Sequence, residues 1–484
     1  MPLNPSYLDH RQQAAVTDTE GPVAIIACPG AGKTACLAAR VARLLDSGEG
    51  QAGILCLTFT NRAAEEMRSR IQSYASLDTD GMWIGTIHSV CGRLLRAYGP
   101  SPDFSICDEK ESKQIVRELV KAGSYGVRSP LEAAEHISRF KRSTMELDDW
   151  CNNMYKNMGY TYAAGFRSVY QAYQNELKVR NALDFDDLIL HVYHLFQNEP
   201  SVLAAASSCF QYISIDEYQD TSLLETKVIQ SLSSVHDNLC VIGDPNQSIY
   251  GWRGSVHQLI SQFPKNYTGT TVHNLTTNYR SARSIVTAAG NLISRNTPLI
   301  STPTRPARGD NGHIIHSRYM DDEKEAEAIV QEIRKLVPDG RNYSDIAILY
   351  RIHAAADSLI SALRSQAVPI TLIREDLPDQ EVIDAENGVA EQPDEDNAVR
   401  LMTIHQSKGM EFPVVFLIGL EEEVLPHWRS LSNTEHLEEE RRLCYVAISR
   451  AVDRLYLSSC RSRILHRKSL NLTPSRFVDE MRGR

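Results

Sequence analysis

The sequence has no long hydrophobic run, no leader-like start and no paired-cysteine motif. No apolar stretch reaches the roughly 18 residues that a membrane-spanning helix needs. The opening residues, MPLNPSYLDHRQQ, lack the apolar core of a secretory signal peptide. The ten cysteines are scattered and never form CxxC, which argues against a zinc ribbon, an iron–sulfur cluster or a disulfide framework. We therefore expect a protein of the reducing cytoplasm.

An excess of positive charge is also lacking, because 61 Asp or Glu residues outnumber 51 Lys or Arg residues and the formal net charge is −10. That balance by itself disfavours a nucleic-acid partner. However, the segment Glu375–Asn397 contains ten Asp or Glu residues and no Lys or Arg, so the rest of the chain is formally neutral. A neutral body can still carry a basic groove. The segment is poor in large apolar residues, and we predict a disordered or mobile loop there.

The chain has 484 residues, which is too long for one core and predicts two or three packed units. Short apolar runs that look like buried strands alternate with helical stretches, which predicts an α/β fold with parallel sheets. The runs of the first set are Val23–Ala27, Ile54–Thr58, Tyr212–Asp216 and Leu239–Gly243. Those of the second set are His313–Ser317, Ile346–Tyr350, Val399–Thr403, Val414–Ile418 and Leu455–Ser459. Residues 92–183 look helical instead, for example at Glu109–Lys121 and Phe166–Arg180.

A glycine-rich turn follows the first predicted strand and opens a helix, which is typical of a phosphate-binding loop. Its residues are Ala27, Cys28, Pro29, Gly30, Ala31, Gly32, Lys33 and Thr34. Backbone N–H groups of such a loop surround phosphate oxygens. We expect Lys33 to reach the β- and γ-phosphates and the Thr34 hydroxyl to bind Mg²⁺. A glycine-rich turn without a ligand is the alternative, and the strand–loop–helix context disfavours it.

Two adjacent carboxylates, Asp216 and Glu217, stand at the end of an apolar run. We expect Asp216 to hold Mg²⁺ through water and Glu217 to orient and deprotonate the attacking water. An Asp-Glu pair alone is usually a solvated strand end, but after a phosphate-binding loop it indicates nucleotide hydrolysis. Kinases, GTPases and transporter ATPases share these features, so they do not define the work that is done.

Ten segments, in order along the chain, resemble the motifs of superfamily 1A helicases of the UvrD/Rep/PcrA type. They are Leu8–Val16, the phosphate-binding loop, Leu57–Ile71, Gly85–Ser89, Asn181–Leu188, Ile215–Thr221, Val241–Ser255, Asn278–Ser281, Leu401–Pro413 and Glu438–Ala451. The resemblance implies two RecA-like parallel-sheet domains. Domain 1A would comprise 1–91 and 184–277, the helical subdomain 1B would comprise 92–183, and domain 2A would comprise 278–484.

The resemblance also implies an ATP site with Mg²⁺ at the junction of the two domains. Gln12 would read the adenine edge and make ATP the fuel, Tyr279 would stack on the adenine, and Glu411 would contact the ribose. A surface glutamine and a core tyrosine are the alternatives for the first two residues. Gln247 would sense the γ-phosphate and pass its state to the neighbouring DNA-binding segment.

Arg280 and Arg450 resemble arginine fingers supplied by the second domain. Two positive charges facing the γ-phosphate would stabilise the charge that develops in the transition state. They would also make closure of the cleft depend on ATP, which is how a nucleotide can drive a conformational cycle. Surface salt bridges are the alternative interpretation.

The resemblance also implies a track for single-stranded DNA, along segments that carry such a track in this family. Phe59, Tyr250 and Trp252 would stack on bases without reading sequence. Arg253, His88 and His405 are further candidates for contacts to DNA, its backbone included. As isolated residues, these aromatics would more often be core residues and the histidines structural.

One departure from the family is large. Its members insert a helical 2B subdomain between the segments that correspond to Asn278–Ser281 and Leu401–Pro413, but here only residues 282–400 separate them, and most are needed for the second sheet. The acidic loop 375–397 lies where 2B would emerge. The absence of a 2B subdomain puts robust duplex unwinding in doubt while leaving translocation intact. The loop either screens DNA or docks a basic partner, or it is a solvated linker.

Three functions stay open. The first is an autonomous ATP-dependent 3′→5′ helicase or translocase acting on single-stranded or tailed duplex DNA in repair or replication restart. The second is a motor or DNA-end-sensing subunit that works with a separate nuclease or repair protein. The chain is similar in size and helicase core to the helicase component of Gabija-type antiphage systems, which is paired with an OLD-family nuclease. The third, an ATP switch without movement, is disfavoured by Glu217, Gln247 and the two arginines.

Overall fold

A computed structural model describes residues 8–75, 79–123, 125–127, 129–300, 303–309, 312–373 and 397–484. Two six-stranded sheets dominate it, and every pairing within both sheets is parallel. The predicted α/β class with two parallel-sheet units is therefore confirmed. Among the described residues, no helix combines the length and the apolar character of a membrane span.

The first sheet is assembled from both ends of the N-terminal half. In spatial order its strands are Trp83–Thr86, Ile54–Thr58, Tyr212–Ile215, Leu239–Gly243, Val23–Ala27 and Thr271–Leu275. The inner strands are buried along their whole length because helices cover both faces, which is why they read as unbroken apolar runs. The accompanying helices are His10–Thr17, Lys33–Asp46, Asn61–Ala75, Ile87–Tyr98, Phe185–Asn198, Pro200–Cys209, Leu223–Leu232 and Leu259–Asn266.

A helical insertion with its own apolar core interrupts this sheet. Its helices are Glu109–Ala122, Pro130–Lys141, Leu147–Met158 and Tyr160–Val179. The short strands Ser105–Cys107 and Ala182–Asp184 pair where the chain enters and leaves it. The predicted boundary at 91/92 falls inside the helix Ile87–Tyr98, whose buried Leu94 and Leu95 pack in the core of the first sheet. That helix as a whole therefore lies with the first sheet.

A buried ion cluster fixes the insertion to the first sheet. Lys141, at the end of an insertion helix, has a fully buried side chain. Its Nζ lies 2.5 Å from Asp184 Oδ2 and 2.8 Å from Asp187 Oδ1, while the Tyr173 hydroxyl donates to Asp184 at 2.8 Å. Both carboxylates cap the helix Phe185–Asn198, which packs against the first sheet.

The second sheet follows the first along the chain. In spatial order its strands are His313–Tyr319, Ala451–Cys460, Phe412–Leu417, Ile346–Tyr350, Val399–Thr403 and Ile370–Leu372. Its helices are Arg283–Ile293, Asp322–Leu336, Asp357–Ser365, Thr434–Ser449 and Arg476–Met481. Two small pairings accompany it, Thr277–Asn278 with Arg305–Pro306 and the hairpin Ser462–Leu465 with Lys468–Asn471. The predicted acidic loop lies outside the described residues, apart from Asn397.

Strands that the sequence did not predict are short or lie at a sheet edge. In Thr271–Leu275 only Leu275 is buried, so the strand carries no apolar run. Trp83–Thr86 has four residues and Ile370–Leu372 has three. All ten cysteines are free, and nine of them are buried.

Candidate ATP site and nucleic-acid interface

The phosphate-binding loop leaves the carboxyl end of Val23–Ala27, the edge at which α/β sheets bind ligands. The Cys28 amide donates to Leu275 O at 2.9 Å, which fixes the start of the loop beside the neighbouring strand. Gly30 and Gly32 have φ of 66° and 74°, which places both in the left-handed region. Helix Lys33–Asp46 begins directly after Gly32, which offers no capping side chain, so the first amides of the helix are available for an anion.

The predicted magnesium ligands are neighbours. The Thr34 hydroxyl donates to Asp216 Oδ2 at 3.3 Å, and Asp216 directly follows the strand Tyr212–Ile215. Burial and the neighbouring Glu217 carboxylate raise the pKa of Asp216 to about 7. A hydroxyl and a carboxylate are the hard oxygen donors that Mg²⁺ prefers, so the donor set fits that ion.

Glu217 lies between two ammonium groups. Its Oε1 is 3.9 Å from Lys33 Nζ, and its Oε2 is 3.9 Å from Lys408 Nζ of the second domain. Burial alone would raise the pKa of Glu217, but the two lysines, with a hydrogen bond from Gln219 and the charge of Arg450, outweigh it and lower that pKa to about 2. The carboxylate is therefore ionised, as a base that deprotonates water must be.

A turn from the start of the second domain closes over the phosphate-binding loop. Asn278 Oδ1 accepts the backbone amides of Arg280 and Ser281, both at 2.9 Å, and the Tyr279 amide donates to Gly30 O at 2.9 Å. A Cβ on Gly30 would lie only 2.7 Å from Arg280 Cβ. The loop and the arginine turn therefore touch without space for a side chain.

Arg450 reaches the same site from the end of helix Thr434–Ser449. It is 2% exposed, and its guanidinium donates to Gln247 Oε1 at 3.2 Å and to Met410 O at 3.0 Å. Burial and the neighbouring Arg280 lower the pKa of Arg450 to about 9. Gln247 Nε2 donates to Asp244 Oδ2 at 2.7 Å, so this glutamine joins a carboxylate of the first domain to an arginine of the second.

The residues predicted to hold the base and the ribose are each engaged by neighbouring protein groups, and Gln12 and Tyr279 share Asp9 as a partner. The Gln12 amide accepts from Asp9 N at 2.8 Å and donates to Ala31 O at 2.9 Å, so it braces the phosphate-binding loop. Reading adenine requires Gln12 to exchange one of these bonds. The half-exposed Tyr279 donates through its hydroxyl to Asp9 at 2.5 Å. Glu411 is exposed and forms an ion pair with Arg280.

The predicted DNA track lies in part across the domain junction. Phe59 and Tyr250 stack on each other, with ring centroids 4.7 Å apart. Trp252 is half exposed, lies edge-on to His405 with a centroid distance of 6.3 Å, and has the Arg253 guanidinium 5.1 Å above its ring.

The two histidine candidates differ in their surroundings. Burial, together with Arg351 and Arg253, lowers the pKa of His405 to about 3, so this ring is neutral at physiological pH. His88 lies edge-on to Phe185 with a centroid distance of 6.0 Å.

One pocket is lined both by the hydrolytic carboxylates and by residues of the predicted DNA track. Asp216 and Glu217 line it on one side, and Phe59, His88, Tyr250 and Arg253 line it elsewhere. The structure thus brings two of the predicted hydrolytic residues and four of the predicted DNA-contacting residues to the walls of one pocket.

Two residues that the sequence interpretation did not single out complete the junction. The Lys408 ammonium forms an ion pair with Asp220 and donates to Gln247 O at 2.7 Å. Both residues lie inside motifs already noted, Leu401–Pro413 and Ile215–Thr221. Their opposite charges were a signal, but their pairing across domains could not be read from the sequence.

Fold and site together define a P-loop nucleotide hydrolase built from two parallel-sheet domains with a charged cleft between them. The family model of the UvrD/REP helicase N-terminal domain matches residues 8–268, and that of the UvrD-like helicase C-terminal domain matches 273–377 and 381–462. The chain belongs to the UvrD/REP helicase family. The family predicted from the motifs is confirmed.

Its curated relatives include the ATP-dependent DNA helicase PcrA of Staphylococcus epidermidis. The two are 28% identical over 634 positions, covering 98% of this chain and 86% of the relative. PcrA of Staphylococcus aureus is also 28% identical, over 631 positions with the same coverage.

Proposed function

We propose that this chain is an ATP-dependent motor that moves 3′→5′ along single-stranded DNA, as a translocase or helicase. The observation that carries the proposal is the contact of Arg280 and Arg450 with the ATP site of the other domain, beside an aromatic track. The family membership and the printed activity of the PcrA relatives support ATP and DNA as its substrates. The polarity rests on the family resemblance.

The ATP site supports hydrolysis in detail. Lys33 and the amides around Gly30–Thr34 would hold the phosphates, and Thr34 with Asp216 would hold Mg²⁺, which supplies positive charge at the β- and γ-phosphates. Glu217 would take the proton of the attacking water. Gln12, Tyr279 and Glu411 would face the nucleoside once the bonds of Gln12 exchange.

Movement follows from which domain supplies each group. Arg280 and Arg450 come from the second domain, so ATP favours a closed cleft and its hydrolysis removes the charge that both arginines would face.

We propose the divisions 1A, 1B and 2A as predicted, with the helix Ile87–Tyr98 assigned to 1A.

The track supports stacking of bases without sequence reading. The rings of Phe59 and Tyr250 stack on each other, so a base can enter between them only if the rings separate. Trp252 is already half exposed and offers a face to a base. Arg253, His88 and the neutral His405 would complete the contacts to the strand.

A second candidate is a motor or DNA-end-sensing subunit with little autonomous unwinding. The alignment with PcrA extends over 634 positions, whereas this chain has 484 residues, so at least 634 − 484 = 150 of those positions are gaps in this chain. The match to the C-terminal family model is also interrupted at 378–380, inside the acidic segment. Both observations support a compact form without 2B. A separate nuclease or repair partner stays a prediction, which co-purification with candidate partners tests.

The deciding experiment measures ATP hydrolysis with and without single-stranded DNA for the unaltered chain, Lys33→Ala and Glu217→Gln. We expect DNA to stimulate the unaltered chain and both variants to lose hydrolysis. Glu217→Gln should still bind ATP, because its amide removes the base and leaves the phosphate contacts. A hydrolysis rate indifferent to DNA would refute the motor. Unwinding of a 3′-tailed against a 5′-tailed and a blunt duplex then separates the two candidates.

A further inference from the structure

The turn that carries Trp252 is held by a residue of the helical insertion that was not among the predicted site residues. Arg142 caps the carboxyl end of helix Pro130–Lys141, and its side chain is 21% exposed. Its Nη1 donates to the backbone carbonyl of Arg253 at 2.8 Å. Because that carbonyl ends the turn Gly251–Arg253, the insertion is hydrogen-bonded to the backbone of the predicted DNA track.

An acidic partner fixes the direction in which the Arg142 guanidinium points. Its Nε donates to Asp186 Oδ1 at 2.5 Å, and the other oxygen of that carboxylate accepts from the Ser138 hydroxyl at 2.6 Å. Asp186 lies in the first turn of helix Phe185–Asn198, and its side chain is 9% exposed. A hydrogen bond between charged groups is stronger than a neutral one, so the guanidinium stays aimed at the turn.

The aliphatic stem of Arg142 packs against the same turn. A Cβ on Gly254, which follows the turn with φ of 91°, would lie 3.9 Å from both Cβ and Cδ of Arg142. The other end of the turn is held from the second domain, where Glu439 Oε1 accepts from Gly251 N at 3.0 Å. Arg142 therefore holds the Arg253 end of the turn, and Glu439 holds its beginning.

The turn presents an exposed aromatic face of the DNA track. Trp252 is 51% exposed, and the Arg253 guanidinium lies 5.1 Å from the centroid of its ring. Arg142 also lines the pocket that the DNA track shares with the hydrolytic carboxylates. A base gains most from stacking on Trp252 when the ring is already in place, because ordering a loose group on binding costs free energy.

We propose that Arg142 is a positioning residue of the DNA track, through which the helical insertion fixes the turn Gly251–Arg253 for stacking by Trp252. In this role the arginine acts through a backbone carbonyl and neutralises no DNA phosphate. Without it, part of the free energy of DNA binding is lost in ordering the turn. This inference rests on the proposed function and deepens it, because it gives the insertion a part in binding single-stranded DNA.

The test measures binding of a fluorescein-labelled oligothymidylate by anisotropy at several salt concentrations, and the DNA concentration that half-maximally stimulates ATP hydrolysis. The variants are Arg142→Met, Arg142→Lys and Arg142→Met combined with Asp186→Asn, which leaves no carboxylate without its cation. Arg139→Met, which changes an exposed arginine of the same helix, is the matched control. Thermal melting of each variant shows that it is folded.

We expect the Kd for the oligothymidylate and the half-stimulating DNA concentration to rise about tenfold in Arg142→Met and in the double variant, within the range for one stacked base. The kcat at saturating DNA should not change, because the substitution leaves the ATP site intact. Arg142→Lys should show a smaller rise, since its ammonium can still bond to one of the two acceptors, and Arg139→Met should show none.

Two further measurements show how Arg142 acts. On a Trp252→Ala background, Arg142→Met should weaken DNA binding no further, since the ring that it positions is gone. The slope of log Kd against log salt concentration should stay that of the unaltered chain, whereas loss of one phosphate contact would lower it by about 0.7.

The outcomes separate this inference from the proposed function. If the unaltered chain neither binds the oligothymidylate nor is stimulated by it, the motor itself is refuted. If the unaltered chain binds and Arg142→Met binds equally tightly, the positioning role alone is refuted. A lowered salt slope, or an equal loss on the Trp252→Ala background, would also overturn the proposal, because Arg142 would then act on DNA directly. A fall of kcat with an unchanged half-stimulating DNA concentration would make Arg142 merely structural and would contradict it as well.

Discussion

Replacing Gly30 by alanine perturbs the contact between the phosphate-binding loop and the arginine turn. The new Cβ would lie 2.7 Å from Arg280 Cβ and 2.8 Å from Asn278 Oδ1. Carbon atoms in contact normally lie about 3.5–4.0 Å apart, so the turn has to retreat by about 1 Å. The φ of 66° adds a backbone strain of roughly 1–2 kcal/mol for an alanine.

Gly21→Ala is the matched control, because Gly21 has φ of 71° and its Cβ would meet nothing within 4 Å. Both variants carry the same backbone strain, and we expect similar losses of melting temperature. A misplacement of 1 Å can cost about 100-fold in rate, so kcat of Gly30→Ala should fall about 100-fold below that of Gly21→Ala. The assay is steady-state ATP hydrolysis at saturating Mg-ATP and single-stranded DNA.

Arg280→Ala sets the scale of that result. Complete loss of an arginine finger should lower kcat by about 10³-fold or more, so the Gly30 variant should lie between it and the control. Equal kcat values for Gly30→Ala and Gly21→Ala would refute the reasoning. They would mean that the turn does not rest on the loop during hydrolysis.

Two further predictions concern stability. Lys141→Met leaves Asp184 and Asp187 buried without their cation, so the free energy of unfolding should fall by about 3–5 kcal/mol. Thermal melting checks this, with Lys113→Met, a change of a surface lysine, as the control. Equal melting temperatures of the two variants would contradict the prediction. The pKa of His405 is lowered to about 3, against about 6.5 in an unfolded chain, so only the unfolded state takes up this proton between those values. Stability should then fall below pH 6.5 by at most about 1.4 kcal/mol per pH unit through this group. His405→Gln should show a shallower decline in melting temperature between about pH 7.5 and 5, and an unchanged decline would refute the assignment.

The buried strands of the fold were predictable because each is visible in the sequence as a short run of apolar residues. Val23–Ala27 and Ile346–Tyr350 are apolar along their whole length, and the structure gives both strands the predicted bounds. Thr271–Leu275 escaped notice because an edge strand with one buried residue has no apolar run. Its pairing with Val23–Ala27 depends on contacts that are distant in sequence.

The site divides in the same way. Lys33, Thr34 and Asp216 follow strand ends, so their convergence at one sheet edge was predictable. The pairing of Lys408 with Asp220 and the bracing of Ala31 by Gln12 were not, since they depend on which loops face each other after folding. Motif position indicates chemistry, whereas the partner of each polar group is decided by the three-dimensional packing.

The central claim is that ATP hydrolysis moves this chain in one direction along single-stranded DNA. Stopped-flow fluorescence tests it most directly, with oligonucleotides of increasing length that carry a fluorophore at either the 5′ or the 3′ end. The account predicts an ATP-dependent arrival signal at the 5′ end whose delay grows with length, and no such growth at the 3′ end. Glu217→Gln should abolish the signal. A delay that is independent of length at both ends, despite ATP hydrolysis, would contradict the claim.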